Sequence, residues 1–569
     1  MALATAPLSW YGWAWLAFAP LWGLCRKATW RSRLLYGALW GFGYYGGALF
    51  WITGIHPMTW MGVPWLASLG IALVCWLLIT LWGTAIAALW ALLWPLVSPP
   101  FLLGRWCAGV TLWCALESLW QLGPLWWSSL AYTQSPDNLW ILHWGRLSGP
   151  TVVTALIVGV NGLIAEAVLA LRSTESAPSS PPAPSRRGGF QTHPYPVAEN
   201  FRQSIDKAAL ASTKPQTIAK TDDWWAMPTL RDVRIEFLTA IKALSTILMS
   251  LRPTSSFWRL VISGMGLLGI TIGGGYALMQ WPEAAHTYPT FRVGIIQGNI
   301  PNEIKLYPEG WRRAIAGYTE GYNELAAQGV DVVATPETAL PFVWSILVEK
   351  QHPFYHAVQR QQVPVWVGAF GQEGAALTNS LFSITATGKT LSRYDKVKLV
   401  PLGEYIPFAA LLGQVIRRLS PLDAQLAAGT VHQTLATPFG PAIVGICYES
   451  AFPEHFRRQA AQGGEFIVTA SNNAHYSAVM PAQHHALDVM RAIETDRWAI
   501  RATNTGYSAI VNPHGQSQWR SEMDVYALHS ATVERRRRKT LYVRWGDWLI
   551  WVLVIGSGLM YSWPRWIAK

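Results

Sequence analysis

Charge is what this sequence has least of. Only 13% of its 569 residues are Asp, Glu, Lys or Arg, against about a quarter in a typical soluble protein. The deficit is local. Residues 1–172 hold few charges, whereas 285–540 read as an ordinary water-facing domain. Cysteine is sparse as well. Four of the five, Cys25, Cys75, Cys107 and Cys114, lie in or beside apolar runs and read as small core hydrophobes. Cys447 stands alone in the water-facing part with no disulfide partner there, so it is either core filler or a reactive thiol. No glycine-rich phosphate loop and no zinc-ligand spacing occurs, so the net charge of +12 is not read as nucleic-acid binding but as attraction to anionic lipid. The first apolar run lacks a basic lead and a small-residue cleavage site, so no removable signal peptide is expected.

Long apolar runs are what the chain does have. A helix needs about 20 apolar residues to cross a bilayer. Candidate spans are 8–25, 34–53, 64–95, 102–122, 149–171, 257–279 and 546–563, seven crossings in all, the third long enough for one tilted helix or a broken pair. The 34 tryptophans gather at the ends of these runs, as at Trp10, Trp51, Trp60, Trp126 and Trp127. That is where an amphipathic ring sits at a membrane interface. Orientation follows from basic residues in short loops. Arg26, Lys27, Arg31 and Arg33 put loop 26–33 in the cytoplasm, Arg105 puts the next inner loop there too, and alternation then sends 280–545 outside. The run Arg535–Lys539 argues the other way, but large domains translocate largely regardless of charge.

Between the spans, the segment SAPSSPPAPSRRGG cannot bury enough apolar surface to fold, so 173–233 is expected to be a linker. Beyond it, Phe237, Leu238, Ile241, Leu244, Leu248 and Leu251 have helical spacing, which fits an amphipathic helix on the inner leaflet or one packed on the bundle. From 285 to 540, strand signals (FRVGIIQGNI, VDVVATPET, VPVWVGAF, PAIVGICYES, EFIVTASNN) alternate with helical ones. This predicts an α/β domain with helix-covered sheets.

Three segments end buried strands on polar residues. VVATPETALPF carries Glu337; RYDKVKLVPLGEYIPF carries Lys396, Lys398 and Glu404; IVGICYESAFPE carries Cys447, with Glu449 two residues on. A Cys at a strand end is well placed to attack a carbonyl if a base takes its proton and a cation faces the developing oxyanion. Taken alone, a Glu or Lys is usually solvated surface and a Cys is usually core.

The ordered set PET, K-x-x-L-V-P-x-G-E and ICYE resembles the carbon–nitrogen hydrolase (nitrilase) superfamily. With LVPLGEYIPF and an apolar N-terminal half, it resembles that superfamily's membrane branch, the apolipoprotein N-acyltransferases. QGNIP (Gln297–Pro301), SNNA (Ser471–Ala474), Gln483–His484, MRAIE (Met490–Glu494), RATNTG (Arg501–Gly506) and WGFGYYGGALFWI (Trp40–Ile52) extend the likeness. The resemblance implies a multi-spanning α-helical membrane domain plus an α/β nitrilase-like α-β-β-α sandwich. Its parts are expected at 1–172 (helices), 173–256 (polar linker), 257–279 (helix), 285–540 (catalytic domain) and 546–565 (last helix). It implies Glu337 as general base, Lys396 as catalytic lysine, Cys447 as nucleophile, and Glu404, Tyr448 and Glu449 as supporting residues, with no metal and no cofactor. The implied reaction takes an acyl chain from a phospholipid through a cysteine thioester to the α-amino group of a diacylated apolipoprotein, on the periplasmic side of a bacterial inner membrane. A membrane-anchored amidase or nitrilase is the alternative, and a non-enzymatic scaffold a further one. Two departures stand out. Lys305 is followed by Leu306 where the family has Trp, and Asn473-Ala474-His475-Tyr476-Ser477 replaces NDAWFG.

Overall fold

The computed structural model describes residues 1–175, 255–280, 288–349, 352–401, 403–405, 426–474 and 476–567. The chain divides into Met1–Val168 with Arg259–Lys569, and Leu169–Trp258, of which the described part is the ends of two helices. The expected linker and amphipathic helix of 173–256 lie almost wholly outside the described residues.

The N-terminal half is helical. Thr29 caps the first long helix, Trp30–Ala48, by accepting from the Ser32 amide. The long third run forms one helix, Trp65–Val97, with no break before Pro95 in its last turn. Its 33 residues rise about 50 Å, well beyond the roughly 30 Å of a hydrocarbon core. Further helices cover Leu102–Trp120, Pro150–Glu175, Ser255–Met279 and Trp548–Ile567. Among the described residues, Trp65–Val97, Pro150–Leu171 and Phe257–Met279 are both long and apolar enough to cross a membrane.

The first expected span, 8–25, is not a single helix. It breaks into a 3-10 turn, Tyr11–Trp15, and a seven-residue helix, Ala19–Cys25. Pro20 sits in the first turn of that short helix, where it is tolerated, but it cannot continue a helix arriving from upstream. A helix this short rises about 10 Å and does not cross alone. Phe18 and Trp22 instead fill the bundle, their rings within 5.5 Å of Trp90, Trp94 and Trp113.

Trp30–Ala48 and Trp65–Val97 touch through small residues. A Cβ on Gly37 would stand 2.7 Å from the Ala87 carbonyl oxygen, and one on Gly41 would stand 2.9 Å from Thr84 Cα. Spaced four apart, these two glycines form the small-residue seam by which apolar helices approach closely.

The C-terminal part is two sheets face to face. The seven-stranded sheet runs β13(Ala527–Glu534), β1(Thr290–Gln297), β2(Val332–Ala334), β4(Val365–Glu373), β5(Ala376–Ile384) and β6(Thr390–Asp395), with β3(Leu340–Val343) beside β4. The six-stranded sheet runs β12(Ser517–Arg520), β11(Ala509–Val511), β10(Ala499–Thr503), β9(Phe466–Ser471), β8(Gly440–Ile446) and β7(Leu435–Thr437). Each has a parallel centre and antiparallel edges. The central strands are apolar on both faces, as buried parallel strands must be. Val293, Val332 and Trp366 meet Val444, Val468 and Ile500 between the sheets. Tyr318, Tyr322 and Phe354 cover one outer face. The other face carries the helices Pro453–Ala461 and Val479–Thr495, whose apolar residues join the N-terminal bundle in one core.

The basic run ahead of the last helix is explained by this packing. Arg535 and Arg537 pair with Glu465 at 2.8 Å, and Arg536 lies between Glu534 and Asp496. These arginines close the end of the sandwich.

Gly37→Leu and Gly41→Leu are expected to destabilise the protein by about 1–3 kcal/mol each, as overpacking does. Gly43→Leu, which meets no atom within 4 Å, serves as the control. Thermal unfolding in detergent reads the difference; equal midpoints for Gly37→Leu and Gly43→Leu would refute the close seam.

Candidate active site

The site gathers where strands end at their carboxyl edges, the usual place for ligands in parallel sheets. Glu337 follows β2, Lys396 follows β6 and Cys447 follows β8. Lys396 Nζ donates to Glu337 Oε1 at 3.0 Å and to Glu404 Oε2 at 2.9 Å. Asn379, on β5, bridges the same two carboxylates, its Nδ2 donating to Glu337 Oε1 at 2.7 Å and to Glu404 Oε1 at 2.9 Å. Glu404 also accepts from the Val400 amide at 2.8 Å.

The Lys396 side chain is 1% exposed. Burial of an ammonium this deep lowers its pKa, but Glu337 and Glu404 outweigh that and hold Lys396 well above the ordinary lysine value. Burial would likewise raise Glu337; Lys396, Lys305 and the Asn379 amide overcome it and hold the carboxyl below its usual range. Glu337 is therefore a carboxylate at neutral pH, able to accept a proton. Lys305, 4% exposed, donates to the Glu337 main-chain carbonyl at 3.0 Å. Burial pulls its ammonium down to about 8, against the attraction of Glu337.

Glu337 is also held through its backbone. Thr338, next to it, is in the left-handed region at φ +47. Gly368 lies so close behind that a Cβ there would come within 2.0 Å of the Pro336 carbonyl oxygen. Only glycine lets β4 approach the base this closely.

Cys447 is partly exposed and has φ +51. A non-glycine residue in that region signals a constrained, functional position. Its Sγ lies 3.9 Å from the Asn472 carbonyl oxygen. Burial pushes the thiol up to about 12, with Glu337 adding to the rise and Lys396 opposing it. At neutral pH the resting group is a thiol, so nucleophilic attack requires a base to take its proton as the bond forms.

Glu449 braces the site. Its buried carboxylate accepts from the amides of Ile446 at 2.7 Å, Val397 at 2.6 Å and Lys398 at 3.1 Å, and Tyr394 Oη lies 3.1 Å from both oxygens. These are the backbone positions flanking Cys447 and Lys396. Tyr448 faces the helical part instead. Its Oη donates to the carbonyls of Pro124 at 2.6 Å and Trp126 at 2.9 Å, and its ring stacks on Trp127. Lys398 points away from the carboxylates and lies over the Phe452 ring at 4.8 Å.

The structure thus draws Glu337, Lys396 and Glu404 into one hydrogen-bonded cluster with Cys447 in its field, and puts Tyr448 and Glu449 in the frame around it. Sequence reasoning missed Asn379, which sits among other polar residues in ALTNSLFSI and carries no local signal. In the sequence, Lys305 stands out only through its neighbour Leu306, and its contact with Glu337 is not legible there.

Alkylation of Cys447 by iodoacetamide is expected to rise with pH throughout the neutral range and reach no plateau below about pH 10, because the thiolate reacts and its fraction grows up to the pKa. A plateau near pH 7 would show a preformed thiolate.

Residues 292–533 match the carbon-nitrogen hydrolase family, and residues 1–163 match the apolipoprotein N-acyltransferase N-terminal domain. Among solved structures, an amidase from Nesterenkonia sp. aligns over 43% of this chain and 91% of its own at 19% identity, with a TM-score of 0.33, too low to bear on function. An apolipoprotein N-acyltransferase from Synechocystis sp. is 45% identical, covering 99% of this chain and 98% of its own. One from Nostoc sp. is 46% identical, covering 99% and 97%. At that identity over whole lengths, the chain belongs to the apolipoprotein N-acyltransferase family.

Proposed function

We propose that this protein takes an acyl chain from a phospholipid onto Cys447 as a thioester and passes it to the α-amino group of the diacylglyceryl-cysteine that begins an apolipoprotein. Family membership supports the class of reaction. The observation that carries the reading is the anchorage of the nucleophile: the residue after Cys447 is hydrogen-bonded to loop 123–129 of the apolar helical part. A thiol held there faces substrates that are themselves anchored in lipid.

The steps follow from the cluster. Glu337 takes the thiol proton as Sγ attacks the ester carbonyl, and the C=O electron pair moves onto oxygen. The Lys396 ammonium, fixed by its two carboxylates, stabilises that oxyanion. Collapse breaks the ester C–O bond, and the lysophospholipid leaves with the proton from Glu337. The incoming amine then attacks the thioester and gives its proton to Glu337. Collapse breaks the C–S bond, and Cys447 recovers its proton. Both halves are acyl transfers, so one site serves both, with ping-pong kinetics.

On this reading the protein lies in a bacterial inner membrane with the sandwich on the periplasmic side. The cytoplasmic assignment rests on the basic residues of the short loops, Arg26, Lys27, Arg31 and Arg33 together with Arg105. The opposing run Arg535–Lys539 belongs to a large folded domain, and such domains translocate largely regardless of charge.

Mass spectrometry of the protein incubated with phospholipid is expected to find one acyl group, as a thioester, on Cys447; Cys447→Ala should show none and turn over nothing. Lys396→Ala should lower turnover by about 10²–10³-fold or more, whereas Lys398→Ala should stay within roughly threefold. Release of ammonia from small amides, with no acylation of a diacylated peptide, would make the protein an amidase.

A further inference from the structure

His484 takes no part in the reaction above, yet it is fully buried against the nucleophile's loop. Its Nε2 lies 2.9 Å from the main-chain carbonyl oxygen of Cys447, and its Nδ1 lies 3.2 Å from Asn473 Nδ2. Which nitrogen carries the proton can be worked out from the far end. Asp488 and Arg501, both completely buried, form an ion pair. Arg501 Nε donates to the Tyr507 carbonyl at 2.8 Å, and Nη2 donates to Asn473 Oδ1 at 3.3 Å. With its oxygen turned to the guanidinium, Asn473 must present its NH2 to His484. Nδ1 therefore accepts, and the proton of a neutral imidazole sits on Nε2. A doubly protonated ring would set Nδ1–H against the asparagine amide. Burial first, then the Arg501 charge, hold His484 well below the ordinary histidine value.

We propose that His484 is a positioning residue for the nucleophile, its Nε2–H gripping the Cys447 carbonyl so that the left-handed backbone carrying the reacting sulfur cannot relax. The conformation at Cys447, φ +51, is strained for a residue with a side chain and persists only where the surroundings over-determine it. Glu449 fixes the Gly445–Ile446 peptide, one residue ahead of Cys447, through the Ile446 amide at 2.7 Å. His484 fixes the peptide after it. The sulfur is thus clamped from both sides, one grip anchored on a carboxylate and the other on a buried ion pair reached through Asn473. Trp127, edge-on to the His484 ring at 5.7 Å, closes its remaining side.

The inference rests on Cys447 being the nucleophile of the proposed reaction, and not on which ester donates the acyl group. The full-length protein in detergent is tested with two donors, a p-nitrophenyl fatty-acid ester and a phospholipid, in single turnover. His484→Phe keeps a ring but has no donor. It is expected to slow acylation of Cys447 by about 10²-fold, the scale of an ångström-sized misplacement, at unchanged half-saturation. His484→Gln, whose amide can still donate, should recover the rate to within about fivefold. Equal slowing in folded Phe and Gln variants, or a wild-type rate in His484→Phe, overturns the proposal. If the Phe variant does not fold, His484→Gln alone decides: fast and folded supports it, slow and folded overturns it. In the 15N-histidine spectrum of the wild type, a His484 protonated on Nδ1 at pH 7 overturns it without any variant. A wild type acylated by the p-nitrophenyl ester but not by phospholipid sinks the donor assignment and leaves the role of His484 standing.

Discussion

One buried carboxylate joins the two sheets where it matters. Glu449 takes the amide of Ile446, at the end of β8 in one sheet, and those of Val397 and Lys398, just past β6 in the other. Hydrogen bonds to a charged group contribute about 1.5–3 kcal/mol each and lose more when one partner is left buried and unpaired. The sandwich has no covalent tie between its layers among the described residues. The spacing between the thiol and the lysine that would face its substrate is therefore set by Glu449 and by the apolar core beneath it. Tyr394, buried between the sheets, completes the carboxylate's shell from β6.

The helical part is joined as firmly. Trp126, Leu130 and Leu142 continue the bundle core into Leu487, Val489 and Met490 of the sandwich. Arg146 pairs with Asp496 at 2.8 Å, both nearly buried, and Gln483 accepts from Trp51 and Trp127 while donating to the Ala48 carbonyl. Breaking a buried ion pair by removing one partner costs about 3–5 kcal/mol. The catalytic layer and the bundle are one solid, so the height of Cys447 relative to the helices is fixed by packing and not by a tether.

Much of this was legible in the chain itself. The buried strands announced themselves because parallel strands covered on both sides must be apolar throughout, and β8 and β9 are. Glu337 and Cys447 stood out because each comes just after such a strand, whereas Lys396 follows the polar, antiparallel β6 and was told from Lys398 only by the likeness to the family motif. What stayed hidden depends on non-local geometry. Within residues 8–25 only Pro20 hints at a break, and nothing there says that the pieces fold into a tryptophan core; that depends on Trp90, Trp94 and Trp113, far along the chain. Arg535–Arg537 read as a topology signal until their partners at Glu465 and Asp496 were in view. Asn379 and His484 each sit among other polar residues of their own element, and their meaning lies wholly in what they face across the fold.

The high pKa of Cys447 has a consequence beyond catalysis. Oxidants and disulfide exchange attack the thiolate, not the thiol. A cysteine activated in advance would stand open to both between turnovers. Burial holds this sulfur protonated, its pKa pushed up to about 12. The same burial that makes the base necessary keeps a lone, unpaired cysteine chemically quiet between turnovers.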